Sequence, residues 1–283
     1  LVSEHKCVLE SFRACQAWGV DVSFLPVEAD GLLSLDRLKA AMRAETVLVS
    51  VMAVNNEIGV IQDIQSCADI AHANGALFHC DAAQACGKIP LNFSKLGVDL
   101  MSLSAHKMYG PKGIGALVVA ESAREMLLPH MSGGGQEGGL RSGTQAPMLA
   151  AGFGRACAIA SDEMHDEAAR IAALADAFLQ KLSSLAPGYT IIGHKTQRWA
   201  GNLNIAYDGL DANRLIVDMR GLAVSSGAAC SSAVEGPSYV LEALGLAEGL
   251  RRSAIRIGFG RFLDLDTVLA AAEQFADAVR KQL

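Results

Sequence analysis

Residue types able to do chemistry gather in a few short stretches. Ser104-Ala105-His106-Lys107 follows one apolar run, Asp81 closes another, and Asn55-Asn56 follow a third. A Lys amine just past a strand end can form a Schiff base, and an Asp carboxylate at a neighbouring strand end can pair with a protonated pyridine nitrogen. Those two groups are the minimum set for pyridoxal phosphate. Taken singly, Lys107 fits a solvated surface Lys as well, and Asp81 fits a turn or a helix N-cap.

Another stretch, Ser225-Ser226-Gly227-Ala228-Ala229-Cys230-Ser231-Ser232, sets a thiol in a small-residue loop among hydroxyls. Such a Cys is unhindered, as a nucleophile needs, although a Cys elsewhere is more often a small buried hydrophobe. The other six of the seven cysteines fall in helical or strand patterns and are assigned to packing. With no CxxC and no paired spacing, neither a metal site nor a disulfide framework is expected. A reducing, cytoplasmic location follows.

These groups need a scaffold that brings strand ends together. Ser3 is placed to cap a helix through Val8, Leu9, Phe12, Cys15 and Ala17 that stops at Gly19. A short strand is expected around Val22–Pro26, a helix over Asp36–Arg43, and a buried strand in the β-branched run Thr46–Val54. Ile64–Ala73 reads as a helix, and Ala76–Cys80, Asp99–Leu103 and Gly113–Ala120 as strands. Alternation of this kind predicts an α/β fold, a mostly parallel sheet covered by helices, with ligands at the carboxyl ends of the strands. After a Gly-rich loop, Ala146–Leu185 reads as mostly helical, with Pro147 tolerable in its first turn. Short strands at Tyr189–Ile192, Asn202–Ala206, Ala223–Ser225 and Ala254–Ile257 then alternate with helices near Ala212–Met219, Pro237–Leu244 and Leu265–Leu283. The expected division is a large domain over 1–160, a connecting helix over 161–186, and a small C-terminal α/β domain over 187–283 that carries the Cys230 loop.

The chain has 283 residues, enough for a large domain with a smaller companion. Its 24 Lys+Arg against 30 Asp+Glu give a net charge of −6 without charged blocks, which argues against nucleic acid as a stable partner and against an anionic membrane surface. No apolar run reaches the roughly 18–20 residues needed to span a bilayer, so a soluble protein is expected. Charged residues make up 19% of the chain, below the usual ~25%, which suits an enzyme with much buried sheet.

The motifs together resemble a known family. Glu4-His5-Lys6, Val54-Asn55-Asn56-Glu57-Ile58-Gly59, Asp81-Ala82-Ala83-Gln84, Ser104-Ala105-His106-Lys107-Met108-Tyr109-Gly110-Pro111-Lys112-Gly113, Arg141-Ser142-Gly143-Thr144, the Cys230 loop and Ile255-Arg256 resemble the cysteine desulfurases of the NifS/IscS type. These are pyridoxal-phosphate enzymes of fold type I, in the class V aminotransferase group. The match runs in order across essentially the whole chain.

The resemblance implies roles residue by residue. Lys107 resembles the Lys that holds pyridoxal phosphate and moves the substrate Cα proton, and Asp81 the carboxylate that keeps the pyridine nitrogen protonated. His5, otherwise a His at a helix start, resembles the ring that stacks on the cofactor and handles protons. Asn56 and Gln84 resemble the side chains near its phenolic oxygen, and Ser104 and His106 resemble phosphate ligands. Thr144 resembles a phosphate ligand supplied across a homodimer. Arg256 resembles the Arg that clamps the substrate carboxylate, with Asn56 also near the substrate. Cys230 resembles the thiol that takes sulfur from L-cysteine as a persulfide, leaving L-alanine, and passes it to a sulfur acceptor or iron–sulfur scaffold protein.

Family members carry further residues before the Glu-His-Lys run, including a Gly/Thr-rich turn that grips the cofactor phosphate at a helix N-terminus. From the given sequence alone a weakened cofactor site is therefore expected. Ala105 and Ala228 stand where many members have Gly and Ser. Two other readings remain open on the residues: a selenocysteine lyase or aminotransferase with no use for Cys230, and a truncated, non-catalytic docking subunit.

Overall fold

The computed structural model describes residues 1–226 and 238–283, so the Cys230 loop and Pro237 lie outside the described residues. The chain sorts into two compact units that interleave in sequence. One comprises Leu38–Ala53 and Asp63–Met164; the other comprises Leu1–Arg37, Val54–Gln62 and His165–Leu283.

The Leu38–Ala53 and Asp63–Met164 unit is built on a four-stranded sheet in the order β1 (Leu48–Met52), β2 (Leu77–Asp81), β3 (Leu100–Ser104), β4 (Gly115–Val119). The first three strands are parallel, as the alternating pattern predicts, and β4 is antiparallel to β3. Its direction follows from the short connection over 105–114, since a parallel return needs a crossover of a dozen or more residues. Helix α3 (Ile64–Ala73) starts at Asp63, whose carboxylate accepts from the Ser66 N–H, and it packs Cys67, Ala68 and Ala71 inward. Helix α4 (Glu121–Arg124), a single turn that the sequence pattern does not announce, follows β4.

Register sorts the strand side chains onto two faces, because successive residues alternate. Val49, Val51, Phe78, Cys80 and Met101 line one face, and Phe78 and Cys80 are fully buried there. Ser50, His79, Asp81 and Ser102 line the other.

The other unit holds α1 (Lys6–Ala17) and an antiparallel sheet of β5 (Thr190–Ile191), β6 (Asn202–Ala206) and β7 (Ile255–Gly258). Short helices α6 (Ala212–Asp218), α7 (Tyr239–Ala243) and α8 (Glu248–Ser253) and the longer α9 (Leu265–Arg280) belong with them. Helix α5 (Pro147–Leu185) is continuous over 39 residues, with Pro147 opening it where no N–H is needed. Gly152 in α5 sits at a close approach: a Cβ there would lie 3.2 Å from the Pro111 ring, tight enough that the ring would have to give. Phe178 of α5 meets the rings of Phe259 and Phe275 edge-on, at centroid distances of 5.7 and 6.1 Å. Helix α2 (Leu35–Ala41), whose residues divide between the two units, buries Leu38.

Several local expectations are corrected. His5, not Ser3, caps α1: its backbone is extended and its ring nitrogen accepts from the Cys7 N–H, while Ser3 is buried and its carbonyl accepts from the Asn55 amide. Val22–Pro26 forms no strand: among the described residues its one backbone bond to another segment is Val2 N–H to the Leu25 carbonyl, and Pro26 has no N–H to offer. Around Ala223–Ser225, among the described residues, the expected strand is reduced to a bridge from Ser225 to Arg256. Helix α8 went unannounced, and α9 ends at Arg280. Among the described residues, no helix is long and apolar enough to cross a membrane.

Candidate active site

Asp81 is the last residue of β2, and Lys107 lies in a 3-10 turn, Ala105–Met108, that begins where β3 ends. Since β2 and β3 are parallel neighbours, both residues sit at the carboxyl edge of the sheet. The turn is shaped by its apolar residues: Ala105 and Met108, three apart and therefore stacked on a 3-10 turn, bury together against Phe153 and Ala160 of α5. That leaves His106 and Lys107 between them, exposed and half-buried respectively. Tyr109, in left-handed conformation at φ 64°, closes the turn, and Gly110 N–H returns to the Ala105 carbonyl at 2.9 Å.

Asp81 is buried, and one of its carboxylate oxygens accepts from the Ala83 N–H at 3.0 Å. The other makes no hydrogen bond among the described residues, and the Lys107 amine likewise has neither hydrogen bond nor ion pair among them. Ser104 Oγ and His106 Nδ1 lie 3.0 Å apart, so these two are brought together. Desolvation, helped by the Lys107 and Lys112 cations, pushes the His106 ring below its ordinary value. Gln84, half-buried, accepts from Lys88 Nζ at 2.7 Å, which leaves its amide nitrogen for another partner. Thr144 is exposed in the loop before α5.

His5, Asn56 and Arg256 belong to the other unit. Asn56 sits in a turn after which Glu57 is buried, and its backbone carbonyl accepts from Arg256 Nη1 at 3.0 Å and from the Asn202 amide at 3.1 Å. Asn55 shapes that turn by accepting from the N–H groups of Glu57 and Ile58. The Asn204 amide donates to the Glu57 carbonyl. Around this cluster the side-chain oxygens of Asn56, Asn202, Asn204 and Ser225 are buried and unpartnered among the described residues. His5 uses one ring nitrogen on the Cys7 N–H, 3.3 Å away, as a helix cap.

The residues present fit the group that the sequence implies, pyridoxal phosphate. A carboxylate oxygen and an amine, each unpaired among the described residues, stand at neighbouring strand ends, with a Ser and a His alongside for an anion. Sequence reasoning passed over Glu57, Ser238 and the polar residues inside the strands. A signal for the last was present, since LVSVM, LFHCD and LMSLS each place one polar residue mid-strand in an apolar run.

The family model "Aminotransferase class-V" matches residues 1–270. The chain is 46% identical over 93% of its length to a protein named cysteine desulfurase IscS from Rickettsia typhi, of which it spans 64%. It is also 46% identical over 99% of its length to a mitochondrial cysteine desulfurase of Arabidopsis thaliana, of which it spans 62%. It therefore spans less than two thirds of these relatives. A solved NifS-like protein superposes with a TM-score of 0.89 over 99% of the chain and 74% of its own length, at 31% identity.

Proposed function

The chain belongs to the class-V aminotransferase family, and we propose that it works as a pyridoxal-phosphate-dependent cysteine desulfurase, converting L-cysteine to L-alanine and passing the sulfur to an acceptor protein. One observation carries the reading: the Lys107 amine and one Asp81 carboxylate oxygen, both without a partner among the described residues, stand at the carboxyl ends of adjacent parallel strands. The names of the relatives support the choice of cysteine as substrate.

Lys107 and Asp81 would hold the cofactor, with Ser104 and His106 on its phosphate, Gln84 and Asn56 near its ring oxygen, and His5 against its ring. When bound, pyridoxal phosphate supplies an electron-accepting ring that makes the Cα proton of an amino acid removable. Lys107 takes that proton and Asp81 keeps the balancing positive charge opposite its own negative one. Arg256, whose Nη1 is already oriented by the Asn56 carbonyl, holds the substrate carboxylate with its remaining N–H groups. The Cys230 thiolate attacks the substrate sulfur; the C–S bond breaks, its electron pair stays on carbon and is protonated, and a persulfide remains on Cys230. No external oxidant is needed, because sulfur is transferred as the carbon is reduced.

The protein works as a homodimer in this reading, because Thr144 is exposed and makes no hydrogen bond among the described residues, as suits a ligand for the partner subunit's phosphate. A sulfur acceptor or iron–sulfur scaffold protein takes the sulfur. The six described cysteines are free, which suits a reducing compartment such as the cytoplasm. Incubation with pyridoxal phosphate, L-cysteine and a thiol reductant tests the proposal: alanine and sulfide should appear in equal amounts. Alanine without sulfide, or neither product, would reject it.

A further inference from the structure

Ser50, His79 and Ser102 form a hydrogen-bonded row across three adjacent parallel strands. His79 Nδ1 lies 2.8 Å from Ser50 Oγ on β1, and His79 Nε2 lies 2.9 Å from Ser102 Oγ on β3. Parallel strands in the interior of a sheet are normally apolar on both faces, and β2 and β3, which carry His79 and Ser102, are interior here, so polar groups on them call for a use. The row shares its face with Asp81, two residues beyond His79 on the same strand. Ser102 is also the register partner of Asp81 on the neighbouring strand, roughly 4.8 Å away by sheet geometry. Yet Ser102 turns its hydroxyl to His79 and makes no hydrogen bond to Asp81.

We propose that His79 is a positioning residue for Asp81: clamped between two serines, it holds the Ser102 hydroxyl away from the carboxylate, leaving one Asp81 oxygen for the cationic N–H of a bound heteroaromatic ring. The inference rests on the cofactor reading above. Charge supports it. Burial pushes the His79 imidazole below its ordinary value, against the opposing pull of Asp81, so no second cation competes for that carboxylate. A neutral imidazole also has one donor and one acceptor nitrogen, which two hydroxyls satisfy together.

The test uses the full chain with pyridoxal phosphate as probe. In His79→Phe the ring volume stays but Ser102 loses its partner, and its register neighbour Asp81 offers a carboxylate as the replacement. Cofactor affinity should fall about tenfold, the worth of one charge-assisted hydrogen bond. Removing the released hydroxyl, in His79→Phe/Ser102→Ala, should bring affinity back to within about threefold of the parent, a recovery that mere loss of packing cannot produce. An unchanged affinity in His79→Phe, or no recovery in the double variant, overturns the proposal. Should the parent chain take up no pyridoxal phosphate, the cofactor reading fails by itself, and the ligand-free protein still decides the role of His79. There the 13C shift of the Asp81 carboxylate should move in His79→Phe and return in the double variant. Should the variants not fold, 15N spectra of the parent decide: His79 must show one neutral tautomer at neutral pH, and a charged or tautomer-averaging ring overturns the assignment.

Discussion

The Ser238 hydroxyl donates to the Glu57 carboxylate at 2.5 Å, and the same oxygen accepts from the Leu241 N–H as the cap of α7. One serine thus ties the turn beside Asn56 to the helix that follows the Cys230 segment. Burial pushes the Glu57 carboxyl above the ordinary range, outweighing the opposing pull of Ser238, Arg256 and Lys6.

That shift has a sign. A carboxyl raised by folding binds its proton more tightly in the native state, so its contribution is fully present below the unfolded value and is lost as pH rises through the folded one. Glu57→Gln has no proton to lose and keeps an acceptor for Ser238. Urea midpoints should show the variant gaining on the parent steadily from acid to neutral pH. A parent that gains on the variant over that range would contradict the desolvated state of Glu57.

Lys107 and Cys230 should separate cleanly. Lys107→Ala should lose the visible absorbance of bound pyridoxal phosphate and slow alanine formation by about 10³-fold, since both cofactor attachment and proton transfer depend on it. Cys230→Ala should keep that absorbance and lose sulfide release. If Cys230→Ala still released sulfide at the parent rate, the chain would act as a lyase that has no use for Cys230.

Arg256 is half-buried, and its Nη1 is taken by the Asn56 carbonyl. Arg256→Lys keeps the charge but loses the planar fork. The KM for L-cysteine should rise about 10–100-fold, with a smaller change in kcat, as one or two charge-assisted bonds are lost. A KM equal to the parent's would remove Arg256 from substrate binding.

Phe178 is 1% exposed and lies edge-on to two other rings. Phe178→Ala should cost about 3–5 kcal/mol by denaturant unfolding, the range for a large buried aromatic whose cavity closes only partly. A loss below about 1 kcal/mol would show that the neighbouring rings collapse into the space.

The sequence alone carried the parallel strands, the long α5 and the strand-end positions of Asp81 and Lys107, because each rests on local periodicity or on a residue's place relative to an apolar run. It misjudged Val22–Pro26, where the pattern was strand-like but, among the described residues, a single backbone bond, from the Val2 N–H to the Leu25 carbonyl, joins it to another segment. It also misjudged the α1 cap: Ser3 is a preferred cap residue, but it is buried with its carbonyl on the Asn55 amide, and the His5 ring caps the helix instead. Tertiary structure alone set Ser238 on Glu57, 181 residues away in sequence, and Arg256 on Asn56, 200 away. It also aligned Ser50, His79 and Ser102 by strand register. Periodicity tells which face a residue occupies, but hydrogen bonding between distant groups depends on register and packing, which are settled only when the whole chain minimises its buried, unpaired polar atoms.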